Sequence, residues 1–361
     1  MTVHYAEPDL QVVDYEAYVL DPEILDRATG EPLVLRGPRP RAPLVPGSYF
    51  VCLGAAQTFG RFCQKPFPAL LSERLDIPCL NLGRGGAGPS FFSEENDGLM
   101  QYLADARFVI VQVMAGRSES NSLFRSKGLG SLTRVSDGTE IGCDDAFAEI
   151  LAGYDFDTVK RIVEETRHNW IESYQRLLGN IPVPKVLLWF STRTPEYAEG
   201  YNDVYELFGE FPQLVDRAMV DHVRSKCDSY VELVSRRGMP HQLVSRFSGQ
   251  PVTVRDPWAG EWTEDWYYGS PEMHEDATSA LEKPCKSIAA HYRANRSIRR
   301  ERSPRPFVVL GKARCGSTHL LGLLNSHPGV LGFGELFRDD QMIGWDLQPY
   351  DTEQQSPAQV E

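Results

Sequence analysis

No run of apolar residues in this sequence approaches the roughly 20 needed to cross a bilayer. The longest lies near Phe108 to Ala115, so no membrane span is expected. The amino terminus, Met1-Thr2-Val3-His4-Tyr5-Ala6-Glu7, has neither a basic start nor an apolar stretch, and no signal peptide is expected. Basic charge is scarce. Against 50 aspartates and glutamates stand 37 lysines and arginines, a formal net charge of −13. Such a surface repels polyanions, so nucleic acid and anionic membranes are not expected partners. An anionic nucleotide is not excluded, because a local cluster of donors can outweigh distant charge. Paired cysteines are missing too. Cys52, Cys63, Cys79, Cys143, Cys227, Cys285 and Cys315 include no Cys-x-x-Cys, which argues against a zinc ribbon; no metal is expected. Several sit in apolar runs such as Val51-Cys52-Leu53, where cysteine serves as a small hydrophobe. A reducing compartment and a cytoplasmic location fit this usage. No internal repeat is evident.

What is present is a globular composition. Hydrophobic residues make up 42% and aromatics 11% of 361 residues, enough for a sizeable core and more than one ordinary domain length. Residues 1–47 turn from acidic to rich in proline and arginine, through Arg36-Gly37-Pro38-Arg39-Pro40-Arg41. Prolines at that density remove backbone donors, which predicts an extended arm. From Tyr49 the pattern is α/β. Strands are expected at residues 49–54, 77–82, 108–114 and 185–190, with helices at 68–75, 91–104 and 158–178. Continuous apolar strands alternating with helices predict a parallel sheet covered on both faces, a three-layer flavodoxin-like arrangement. Residues 212–237 read as one or two helices. A last helix opens at Ser270-Pro271-Glu272, with serine as cap and proline at its first position. The arginines of 296–305 read as a solvated helix end and linker, placing a domain boundary near residue 300.

Beyond it, Phe307-Val308-Val309-Leu310 is a short apolar strand entering Gly311-Lys312-Ala313-Arg314-Cys315-Gly316-Ser317-Thr318, followed by the helical run His319-Leu320-Leu321. A strand, a glycine-bracketed loop and a helix start aim several backbone N–H groups at one spot, suited to phosphate or sulfate. Gly311 and Gly316 have nucleotide-hydrolase (P-loop) spacing, but Ser317 stands where the lysine belongs, which argues against ATP or GTP hydrolysis. The segment resembles the opening of the sulfotransferases that use 3′-phosphoadenosine 5′-phosphosulfate (PAPS), in their carbohydrate and bacterial branch. The likeness continues through Asn325-Ser326-His327-Pro328 to Phe333-Gly334-Glu335. It implies that Arg314, Cys315, Gly316, Ser317, Thr318 and His319 hold PAPS as co-substrate. It also implies that Glu335 is the catalytic base, and that sulfuryl transfer goes to a carbohydrate or glycolipid hydroxyl. Later elements of that family have no counterpart in 306–361, so the expectation is a truncated, complemented or relic sulfotransferase segment.

Residues 48–295 resemble the SGNH-type esterase and lipase fold. Gly54-Ala55-Ala56-Gln57-Thr58 follows the first strand, where that family carries Gly-Asp-Ser-x-Thr. Asn81-Leu82-Gly83 stands at the oxyanion-hole position, and Gly116-Arg117-Ser118-Glu119-Ser120-Asn121 at the Gly-x-Asn-Asp position. His274 is placed as the catalytic histidine. Ala56 occupies the serine position and cannot be a nucleophile, while Pro271 stands where the histidine's aspartate would be. Ser118, Ser120 and Ser90 are alternative hydroxyls that no spacing singles out. Gln57, Thr58, Arg61, Asn81, Arg117 and Asn121 are expected to converge at the carboxyl edge of the sheet as a binding site for a sugar or lipid ester. The run Gln57 to Arg61 also resembles a signature of an uncharacterised bacterial family. An esterase or acyltransferase, and a non-catalytic binding module, are therefore the alternatives to sulfuryl transfer.

Overall fold

The computed structural model describes residues 7–26, 30–40, 43–93, 97–256 and 260–302. The chain divides into two units at Arg300, the first of which holds every described strand. Its centre is a sheet of β1 (Phe50–Gly54), β2 (Cys79–Gly83), β3 (Val109–Gln112), β4 (Lys185–Ser191) and β5 (Ser229–Val234). All neighbours are parallel, in the order β2-β1-β3-β4-β5. This is the flavodoxin-like order, whose direction of winding reverses between β1 and β3.

Alternation along the strands makes three layers, since successive side chains leave a strand on opposite faces. Val51, Leu53, Val109, Val111, Leu187 and Trp189 pack on one face. They meet Trp170, Tyr174 and Leu177 of the helix Phe156–Asn180 and Met219 and Val223 of the helix Arg217–Arg224. Phe50, Cys52, Ile110, Val186, Leu188 and Phe190 face the other way, against Phe67 and Leu71 of the helix Phe67–Leu75 and Met273, Ala277 and Leu281 of the helix Pro271–Arg302. Each long helix has a chemical start. The Asp155 carboxylate accepts from Thr158 N at 2.9 Å, and the Ser270 hydroxyl accepts from Met273 N at 3.1 Å, satisfying otherwise orphaned donors.

Two expectations need correction. Residues 229–234 form β5, an edge strand, where the sequence pattern reads as helix. Ser229, Tyr230, Val231 and Leu233 are half-buried, and exposed Glu232 reaches out to pair with Arg217. Residues 7–40 are not simply an extended arm. They contain a short helix (Glu7–Gln11) and a two-stranded ribbon (Tyr18–Val19 with Val34–Leu35). They also bury Val13, Tyr15 and Arg36. Arg36 donates to the carbonyls of Cys63 (2.7 Å) and Gln64 (3.1 Å), locking this segment to the main body. The last helix extends through Arg302. Among the described residues, no helix is long and apolar enough to cross a membrane.

Candidate functional site

The loops after β1, β2 and β3 leave the sheet at its switch point and enclose a cleft of about 80 Å³. Ala55, Ala56 and Gln57 come from the first loop, Gly86 and Ala87 from the second, and Ala115, Arg117 and Ser118 from the third. The far wall is Phe211, Gln213, Tyr267 and Tyr268.

The first loop is held down rather than offered to a ligand. A side chain at Gly54 would run into Thr58 and Gln112, so only glycine lets the chain fold back on the sheet here. Gln112 Oε1 accepts from the Thr58 hydroxyl (2.6 Å) and from Ala55 N (3.1 Å). Asn81 Nδ2 donates to the Thr58 carbonyl at 3.0 Å, while its Oδ1 accepts from Gly83 N at 2.9 Å. Arg61 makes a buried two-pronged pair with Asp9 (2.9 and 3.0 Å) and donates to the Tyr268 hydroxyl at 3.0 Å. Asn121 accepts from Leu123 N and Phe124 N and donates to Thr166. Thr58, Asn81, Arg61 and Asn121, all expected to contact substrate, thus shape the loops. Of the six expected binding residues, Gln57 and Arg117 line the cleft.

Gln57 is 4% exposed, yet neither its Oε1 nor its Nε2 has a hydrogen-bond partner, and Gln213 Oε1 across the cleft is likewise orphaned. Each such atom costs about 1–3 kcal/mol unless something pairs with it, and buried polar groups left unpaired call for an explanation. Gln213 Nε2 donates to the Tyr267 hydroxyl at 2.7 Å.

His274 does not line the cleft. It is fully buried in the opposite layer, stacked on Phe67 and edge-on to Phe190. Its Nδ1 accepts from Phe67 N at 3.1 Å, so Nε2 carries the proton, and that atom has no partner. Burial, aided by Arg36 and His241, lowers its pKa to about 3. Tyr267 and Tyr268 do line the cleft, two and three positions after Asp265. The Tyr268 pKa is pushed up to about 12, mainly by burial, and Arg61 works against that rise. Asp265 is buried, accepts from Tyr267 N (2.9 Å) and Tyr268 N (3.0 Å), and leaves Oδ2 unpaired. Burial raises its pKa to about 6 despite those bonds. Ser118, the serine in the cleft wall, donates to the Gly86 carbonyl at 3.1 Å. No imidazole or carboxylate bonds to it among the described residues.

Arg117 is the charged member of the lining. Burial works against its charge, but Tyr267 and Asp144 hold its pKa above the ordinary guanidinium value. Arg314, Cys315, Gly316, Ser317, Thr318, His319 and Glu335, expected to serve PAPS and catalysis, lie outside the described residues.

The sequence matches the model of a family described as a domain of unknown function, DUF6473, over residues 27–127 and 145–288. The chain belongs to this family. No curated protein matches it. Among solved structures, this DUF6473 protein is similar to a carbohydrate esterase family 2 enzyme from Corynascus thermopiles (Myceliophthora fergusii). That match has a TM-score of 0.34 at 13% identity and covers 73% of this chain and 69% of the other. A lipase from a goat rumen metagenome gives 0.35 at 12%, over 64% and 96%. A lipolytic protein of the G-D-S-L family from Desulfitobacterium hafniense gives 0.32 at 12%, over 66% and 99%. Likenesses of this size say nothing of activity.

Proposed function

We propose that the switch-point cleft of this DUF6473 protein binds a small polar molecule, or the hydroxylated end of a larger one such as a sugar, without hydrolysing it. The observation that carries the reading is Gln57: a buried amide in the cleft wall with both polar atoms unpaired. A ligand offering one donor and one acceptor satisfies both. The esterase reading needs a nucleophile, and the SGNH resemblance has Ala56 where the serine would be. It also needs a base near neutrality, and Tyr268, bound by Arg61, stands in the cleft instead of His274.

Gln57→Leu tests this. Removing two unpaired buried atoms at similar volume raises the stability of the free protein by about 1 kcal/mol or more, while ligand binding is lost. Urea unfolding and titration with a panel of monosaccharides, read by calorimetry, measure both. A destabilised variant, or unchanged sugar binding, refutes the proposal, as does turnover of a chromogenic acetyl ester by the unmodified protein.

Sulfuryl transfer is a second reading, and it rests on the Arg314 to Thr318 loop and Glu335 in the sequence. In it, Arg314 and the loop amides neutralise the leaving phosphate, and Glu335 takes the proton of the acceptor hydroxyl. Calorimetry with 3′-phosphoadenosine 5′-phosphate on the full chain shows binding that Arg314→Ala weakens at least tenfold. No binding by the full chain ends that reading.

A further inference from the structure

Resting on the binding reading above, we infer that the ligand carries a carboxylate, anchored by Arg117, beside at least one hydroxyl received by Gln57 and Gln213. It is a hydroxycarboxylate, either as a free small acid or as the uronic acid end of a glycan.

Three observations combine. The first is the uneven distribution of charge. Residues of the cleft wall are small, aromatic or amide-bearing, and Arg117 alone among them is ionised. A chain of net charge −13 that turns one guanidinium into its cleft discriminates sharply by ligand charge. The second is how Arg117 is held. Asp144 bonds Nη1 only, and the guanidinium lies 5.8 Å from the centre of the Phe208 ring. Asp144 is 58% exposed and Arg117 21%. Water therefore screens the carboxylate of this pair more than the cation, whose other N–H groups remain for a second partner. A guanidinium's planar fork of donors matches a carboxylate in two parallel bonds.

The third observation is the pairing left open. Gln213 Oε1 is an orphaned acceptor beside the bond its Nε2 makes to Tyr267, and a hydroxyl can pair with it. Gln57 supplies one donor and one acceptor of its own. Volume narrows the class further. About 80 Å³ is far below the roughly 300–1,000 Å³ that encloses a drug-sized molecule. The cleft admits the head of a ligand, not a whole oligosaccharide. A carboxylate with an adjacent hydroxyl-bearing carbon satisfies the cation, the amides and the volume together.

The test is calorimetric titration of the full chain with D-glucuronate, D-glucose and lactate at pH 7. The expected result is binding of glucuronate, lactate or both, at least tenfold tighter than glucose. Glucuronate alone identifies the glycan end, and lactate alone or both identifies the small acid. Arg117→Ala removes the preference for the carboxylate. Arg117→Lys, which keeps the charge and loses the fork, retains only part of it, and guards against a poorly folded alanine variant. Asp144→Asn, which removes a competitor without touching the ligand, tightens carboxylate binding. Glucose binding as tightly as glucuronate, or a preference that survives Arg117→Ala, overturns the inference but leaves the binding reading standing. If none of the three binds, both fail.

Discussion

His274 makes this protein sensitive to acid in a way that one substitution should remove. The imidazole is fully buried among Phe67, Phe190 and the last helix, with its pKa lowered from 6.5 to about 3. The unfolded chain therefore takes up this proton below the ordinary value, while the folded chain resists it. Stability from this group is fully present above pH 6.5 and drains away as pH falls towards 3. Between pH 8 and pH 4 the loss is about 3 kcal/mol, from 1.36 kcal/mol for each unit over which the unfolded state alone is protonated. His274→Phe keeps an aromatic ring between Phe67 and Phe190 and deletes the titration. At pH 8 the two proteins lie within about 1 kcal/mol of one another, because Phe67 N loses its acceptor while the unpaired Nε2–H goes too. At pH 4 the variant is the more stable by about 3 kcal/mol, since the titration is gone. Urea unfolding followed by fluorescence of the buried Trp170 and Trp189 gives both free energies. The difference between variant and wild type at each pH isolates His274, since contributions from other groups cancel. A difference that stays constant within about 1 kcal/mol from pH 8 to pH 4 refutes the reasoning, since a neutral buried imidazole could not then be what acid attacks.

Asp265 titrates with the opposite sign. Its folded pKa is raised from 3.8 to about 6, so its contribution is full below 3.8 and lost as pH rises through 6. Asp265→Asn keeps an acceptor for Tyr267 N and Tyr268 N and gains on wild type by about 2 kcal/mol between pH 4 and pH 8, measured by the same unfolding series. Ala56→Ser alone leaves acetyl-ester hydrolysis at background, because Tyr268 is no base near neutrality. Ala56→Ser with Tyr268→His, which places a serine and an imidazole in one cleft with Asp265 three residues upstream, raises hydrolysis by about 10²-fold in a spectrophotometric assay. Equal rates for the single and double variants show that the two positions do not face one another.

The sheet was legible because its strands are buried on both faces and read as unbroken apolar runs, as in Val51-Cys52-Leu53 and Val109-Ile110-Val111. The edge strand was not, because Ser229-Tyr230-Val231-Glu232 is only half covered and mixes polar with apolar residues as a surface helix does. In the site, positions on the loops directly after strands could be read: Gln57 and Arg117 follow β1 and β3 and line the cleft. Gln213, Tyr267 and Tyr268 reach it from distant, irregular segments with no periodicity to mark them. His274 looks functional in one dimension, because it is a titratable ring at a helix start. Its aromatic surroundings, Phe67 and Phe190, come from elements about 80 to 200 residues upstream, and only the fold assembles them.

The family match begins at residue 27, but the body it covers is neutralised from outside that boundary. Asp9, 1% exposed, supplies the carboxylate facing Arg61, and Asp26 the one facing Arg84 at 2.7 Å. A shorter version of the chain starting at residue 27 would keep every strand of the sheet and lose both counter-ions. Removing one partner of a buried pair costs about 3–5 kcal/mol, comparable with the whole stability of many domains. The minimal folding unit is therefore longer than the family boundary, and trimming to that boundary would strip the support from behind Tyr268 before any ligand could be tried.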